Sequence, residues 1–219
     1  MIQYHKINTV FKRDPKTNFK TLIINNYSLP EFEYLKNNIW TFTEKVDGTN
    51  IRIKYSCNED GYTELNYGGK TDNAQIQPTL LDKLRNKFNL KIFEEKFGKE
   101  DPIKVCLYGE GYGPKIQKGG DKYRKDQDFV LFDVKIGNFW LKREDVEDIA
   151  KNLNIEIVPI IGSGTLIEMV EIAKNGFNSI WGDFLAEGIV ARPKYELYCR
   201  NGSRVITKIK HKDFRFPVR

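Results

Sequence analysis

The 219 residues are 40% hydrophobic and 13% aromatic, enough to bury a substantial core and so to exclude a disordered or low-complexity chain. Thirty-six Lys and Arg against 30 Asp and Glu give a net charge of +6, a mild excess that suits a polyanionic partner without requiring one. Cys57, Cys106 and Cys199 are odd in number and never form Cys-x-x-Cys, so neither a disulfide framework nor a zinc site is expected and the setting reads as reducing and cytoplasmic. The opening MIQYHKINTVFKRD lacks the apolar centre of a secretory leader, and no apolar run reaches the length of about eighteen residues needed to cross a bilayer.

In chain order, helical spacing recurs in PEFEYLKNN (30–38), TLLDKLRNKFNLKIFEEKF (79–97), REDVEDIAKNLN (143–154) and TLIEMVEIAKN, which ends at Gly176. Strand signals fall on WTFTE, NIRIKY, TELNYGG, IKVCLYGE, DFVLFDVKI, AEGIVARP and SRVITKIK, each bounded by Gly, Asn, Asp or Pro. Strands and helices do not alternate one for one, which predicts an α+β fold with mostly antiparallel sheets. No repeat or Pro/Gly/Ser linker divides the chain, so residues 1–219 read as a single domain.

Several of these strands carry charge where a strand should be plain. TFTEKVDGTN places Lys45 three residues before Gly48. Asp-Gly is a favoured tight-turn centre, so a hairpin is the ordinary reading, and a lysine nucleophile held by that turn is the sharper one. Glu110 closes an apolar run among glycines. Phe132 and Asp133 sit inside FVLFDVKI, where a buried carboxylate needs a partner. Glu187 precedes Gly188 at the start of another apolar strand. Lys208 and Lys210, two apart, project from one face of a strand, with Val205, Thr207 and Ile209 on the other.

Taken in order, Lys45-Val46-Asp47-Gly48, Gly109-Glu110, Phe132-Asp133, Glu187-Gly188 and Lys208-Ile209-Lys210 resemble the motif series of the covalent nucleotidyltransferase superfamily of ATP-dependent ligases and mRNA capping enzymes. EKVDGTN, GPKIQKGGD and RNGSRVITKIKHKDF narrow the resemblance to the nucleotidyltransferase domain of RNA ligases of the second bacteriophage type. That resemblance implies a nucleotide cleft between sheets flanked by helices; with nine residues after Lys210, no oligonucleotide-binding barrel or extra carboxy-terminal domain is expected. It implies ATP and Mg²⁺ (or Mn²⁺) as cofactors, and RNA with 5′-phosphate and 3′-hydroxyl ends as partner, handled by a monomer. Lys45 would become bonded to AMP, with Asp47, Glu187, Lys208 and Lys210 completing the catalytic set.

The same resemblance assigns Glu44 to the adenine amine, Phe132 to stacking on the purine, Glu110 to the ribose hydroxyls, and Lys208 and Lys210 to the α-phosphate. Val46, Gly48 and Lys70 join the nucleotide set. Lys70 stands where relatives often carry arginine and lacks its two-point fork for phosphate. Asn50 and Glu187 would meet the metal through water. Gln117, Lys118, Arg200 and Arg204 are candidates for RNA contact, with solvated surface charge the ordinary alternative. A neutral lysine amine at pH 7 costs about 4.6 kcal/mol from its free value, and nearby cations would lower that cost. A capping-type guanylyltransferase, a DNA ligase core and a non-catalytic RNA-binding module are the competing readings.

Overall fold

The computed structural model describes residues 3–99 and 101–214. Its strands in chain order are β1 Asn8–Thr9, β2 Phe11–Arg13, β3 Leu22–Tyr27, β4 Trp40–Glu44, β5 Thr49–Cys57, β6 Thr63–Gly68, β7 Ile103–Tyr112, β8 Asp128–Ile136, β9 Phe139–Trp140, β10 Glu156–Ile157, β11 Ile160–Gly164, β12 Gly188–Pro193 and β13 Thr207–Lys210. The helices are α1 Pro30–Tyr34, α2 Pro78–Lys87, α3 Leu90–Phe97, α4 Arg143–Asn152 and α5 Leu166–Asn175. Pairing is antiparallel except between β1 and β13 and between β10 and β8, so the α+β expectation holds.

The chain packs as two compact units. One is drawn from His5–Val46 and the chain from Pro159 onward, the other from Asp47–Val158 with the segment ending at Tyr4.

In the first unit five strands run in the order β1-β13-β12-β4-β11, and β2 pairs with β3 in a separate ribbon. Alternation in β4 turns Trp40 and Phe42 inward and leaves Thr41 and Thr43 half-buried. Leu166, Met169, Val170 and Ala173 of α5 recur at the helical period and join Phe42, Ile189 and Ile209 in one core. A capping box starts this helix: Thr165 accepts from the Glu168 N–H, and the Glu168 carboxylate accepts from the Thr165 N–H.

In the second unit β10-β8-β7-β5-β6 form a sheet, with β9 added along β8. Leu80 and Leu84 of α2, Phe93 of α3 and Val146 of α4 pack with Ile51, Ile53, Leu107 and Phe129. The helix expected over 79–97 is two helices, because Phe88 leaves helical geometry (φ −123°, ψ 80°) and the Asn89 side chain caps the next turn by accepting from Ile92 N–H. β4 and β5 belong to different sheets, so Lys45-Val46-Asp47-Gly48 is not a hairpin. It is the segment where the chain passes from one unit to the other.

Arg52 lies wholly buried in β5, donating from Nε to the Gly69 carbonyl (2.6 Å) and pairing with Asp72 at 3.0 Å. Arg52→Ala leaves that carbonyl without its donor and opens a cavity, and is expected to lower unfolding free energy by about 2–4 kcal/mol. Urea titration checks this; an unchanged midpoint would remove Arg52 as the brace of the Gly69–Asp72 loop.

Candidate active site

The strand register of the first unit decides which side chains meet. β12 is antiparallel to both β4 and β13, pairing Ile189 with Glu44 on one side and with Ile209 on the other. The end of β4, the start of β12 and the end of β13 are therefore level. The Lys45 N–H donates to the Gly188 carbonyl (2.9 Å) and the His211 N–H to the Glu187 carbonyl (3.0 Å), extending the ladder by one residue on each side. Strands lie roughly 5 Å apart, so side chains leaving these ends converge.

The Glu187 carboxylate takes Lys45 Nζ on Oε2 at 2.5 Å and Lys210 Nζ on Oε1 at 2.5 Å. Its side chain is 8% exposed, against 19% and 21% for the two lysines. Lys45 Nζ also lies 3.3 Å from the carbonyl of buried Val46. One anion thus holds two cations in a poorly solvated place, where removing the carboxylate leaves two neighbouring cations without their counter-charge. Lys208 and Lys210 are half-buried while Thr207 and Ile209 are buried, as the two-residue spacing predicts. The end of β13 is itself braced: Asp213 accepts from the Lys210 N–H (3.1 Å) and from Arg13 (2.8 Å).

Glu44 is 1% exposed, and its oxygens accept the Ser179 hydroxyl (2.6 Å) and the Ile180 N–H (3.0 Å). Burial raises its carboxyl above the usual 4.5, against the lowering effect of these two donors. The folded state then holds this proton over a range in which the unfolded chain has lost it. This contribution to stability is complete below about 4.5 and declines as pH climbs through the raised value. Thermal melts of Glu44→Gln are expected to lack that decline. A pH profile parallel to the parent's would assign the dependence elsewhere.

In the second unit, a register shift between β7 and β8 pairs Tyr108 with Asp133 and Gly109 with Leu131, leaving Phe132 as the extra residue of a bulge. The Phe132 ring is half-buried and meets Tyr4 edge-on, with centroids 5.1 Å apart. Asp133 is fully buried and accepts from the Tyr4 hydroxyl at 2.7 Å, so the carboxylate that seemed to require a partner has one. Glu110 sits opposite Asn50, two residues inside the end of β7. Asn50 Oδ1 is buried with no hydrogen-bond partner among the described residues, an acceptor that fits a metal-bound water. No cluster of three or more His, Cys, Asp or Glu side chains converges among the described residues.

The Asp47 N–H donates to the Tyr123 hydroxyl (3.2 Å), and Gln117 Nε2 donates to the Gly48 carbonyl (3.1 Å). A Cβ at position 48 would run into the Gly111 carbonyl, which explains the glycine. Lys70, Gln117, Lys118 and Arg200 are exposed. Arg204 is different: its guanidinium is buried and takes the Glu196 carboxylate from two nitrogens, at 2.5 and 3.0 Å, the geometry of a strut that fixes the 196–204 hairpin and not of an outward phosphate contact. Sequence reasoning missed Tyr4, Arg52, Tyr123 and Ser179. Arg52 had a signal, a charge inside an apolar strand, whereas the others had none.

The three cysteines are free, and no described helix is long and apolar enough to cross a membrane. The family model for RNA ligase matches residues 38–210, from just before β4 to the last residue of β13. Among solved structures, the fold is similar to that of Naegleria gruberi RNA ligase. A mutant with ATP and Mn gives a TM-score of 0.66 at 18% identity, over 95% of this chain and 56% of that chain. The same ligase with PPi gives 0.64 at 20% identity, over 95% and 56%. A mutant with AMP and Mn gives 0.59 at 18% identity, over 93% and 56%. At these identities the likeness is one of fold, and the chain spans 56% of the length of those structures.

Proposed function

Since the chain belongs to the RNA ligase family, we propose that it is an ATP-dependent adenylyltransferase that seals RNA ends, with Lys45 as its covalent nucleophile. The observation that carries this reading is the Lys45–Glu187–Lys210 cluster at the level ends of β4, β12 and β13. In the resting cluster Lys45 is ion-paired, so its amine must shed a proton before it can attack. Glu187 is the acceptor within hydrogen-bond reach. Lys45 Nζ then bonds to the α-phosphorus of ATP while the bond between the α-phosphorus and the bridging oxygen breaks and pyrophosphate departs. Lys208 and Lys210 supply positive charge to the α-phosphate as charge accumulates on it. A divalent ion, Mg²⁺ or Mn²⁺, would offset the charge of the leaving pyrophosphate, with Asn50 and Glu187 meeting it through water.

Transfer to RNA breaks the phosphorus–nitrogen bond and joins AMP to the 5′-phosphate. A 3′-hydroxyl then displaces AMP and closes the strand. Glu110 and Phe132 complete the nucleotide set on the second unit, for ribose and purine, with Val46 and Lys70 as further members. Glu44 remains assigned to the adenine amine. Because Glu44 is buried and Ser179 and Ile180 each sit on one of its oxygens, that contact requires the 179–180 segment to give way. A reducing cytoplasm is a setting that the free thiols fit, and a monomer is the proposed working state.

The test is to incubate the full chain with Mg²⁺ and α-labelled ATP or GTP, then to look for label on the denatured protein. ATP should label it and GTP should not. Preferential GTP labelling would favour a capping-type transfer, and no label from either would favour an RNA-binding module. Comparing single-stranded RNA ends, nicked duplexes with RNA on the 3′ side and all-DNA nicks separates RNA from DNA sealing.

A further inference from the structure

The loop Gly113–Gln127, between β7 and β8, presents Lys115, Lys118, Lys122 and Lys125 to solvent, and none of the four forms an ion pair among the described residues. The exposed acids of the loop are Asp121 and Asp126, and Asp126 is already held by Arg124 (2.8 Å) and Lys83 (3.0 Å). A surplus of uncompensated positive charge therefore faces outward.

The loop is also fixed from beneath. Arg124 reaches Asp128 (3.1 Å) and the Tyr112 hydroxyl (3.1 Å). Gln127 donates to the Pro114 carbonyl (2.8 Å), and Gln77 donates to the Lys115 carbonyl (2.6 Å). Lys115 is thereby kept at φ 65°, a left-handed conformation that side chains avoid and that persists only where surroundings enforce it. Gly120 packs so closely on Gly113 that a Cβ would strike the Gly113 carbonyl. Lysines on so constrained a loop lose little backbone freedom on meeting a ligand. Two further links run inward, from Tyr123 to the Asp47 N–H and from Gln117 to the Gly48 carbonyl.

We infer that Gly113–Gln127 is an arm that grips the phosphate backbone of RNA through Lys115, Lys118, Lys122 and Lys125, and that Tyr123 is a positioning residue coupling this arm to the Asp47–Gly48 turn. The inference rests on the RNA-ligase reading above for the identity of the polyanion. Charge and rigidity together favour a phosphate backbone over an acidic protein, whose carboxylates are softer in spacing and number.

The first test combines Lys115→Ala, Lys122→Ala and Lys125→Ala in the full chain and measures binding of 5′-phosphorylated single-stranded RNA across a salt series. Losing three phosphate contacts should flatten the slope of log affinity against log salt by about 2. An unchanged slope overturns the arm. So does equal slope-flattening with polyglutamate, which would make the loop a general polyanion surface. ATP labelling of the parent is run beside it: a flattened slope with an unlabelled parent keeps the arm and sinks the covalent reading, so the two failures are told apart.

The second test is Tyr123→Phe, which keeps the ring and removes only the hydroxyl. Labelling at Lys45 should slow several-fold while RNA affinity and the melting midpoint hold. A lowered midpoint with unchanged labelling would reduce Tyr123 to a packing role.

Discussion

Lys45→Ala is expected to take no label from α-labelled ATP, a loss of at least about a thousandfold, because no other amine in the cluster can replace the attacking nitrogen in its position. Lys45→Arg should fare no better. It restores charge and length, but a guanidinium stays protonated and is no nucleophile at neutral pH. The fold should survive both changes, since Glu187 retains Lys210 at 2.5 Å and the Lys45 backbone N–H bond to Gly188 is untouched. Melting curves on the same samples check this. Label retained in a folded Lys45→Ala protein would move the nucleophile elsewhere and dissolve the proposed chemistry.

Glu187→Gln is the second large effect. The neutral amide keeps the size of the side chain but leaves Lys45 and Lys210 as neighbouring cations without their common anion, and it removes the group placed to receive the Lys45 proton. Labelling should fall by about 10²–10³, the scale seen when a preorganised polar group is lost from a reaction site. Stability should fall as well, by about 1–3 kcal/mol. The figure is below that for a fully buried pair because both lysines keep about a fifth of their side-chain surface in solvent. Adding Lys210→Ala to Glu187→Gln relieves the repulsion, so the double variant should recover stability without recovering labelling. Recovery of both would show that Glu187 serves only to balance charge.

Much of this was legible in the residues, for identifiable reasons. WTFTE and DFVLFDVKI coincide with β4 and β8 because alternation and branched or aromatic content leave no helical reading. α5 was legible from its spacing and its terminal glycine. β3, reading LIINNY, and the two-residue strands β1, β9 and β10 were not, since pairing partners rather than local preference make them strands. In the site, the order of charged motifs singled out Lys45, Glu187 and Lys210, but not that one carboxylate would hold both amines. That depends on the register of β12 against β4 and β13, which no local pattern encodes. Arg204, a candidate for RNA contact, is buried by the turn that brings back Glu196, a pairing that no local pattern encodes.

The parallel pairing of β1 with β13 joins residues 199 positions apart, Asn8 with Thr207. Such contacts carry the largest loop-closure cost and so are expected to form after local ones. Until β13 pairs, Glu187 holds Lys45 but lacks Lys210. The Lys45–Glu187–Lys210 cluster therefore closes only once β13 has paired with β12, so the long-range pairing that completes the sheet also completes the cluster.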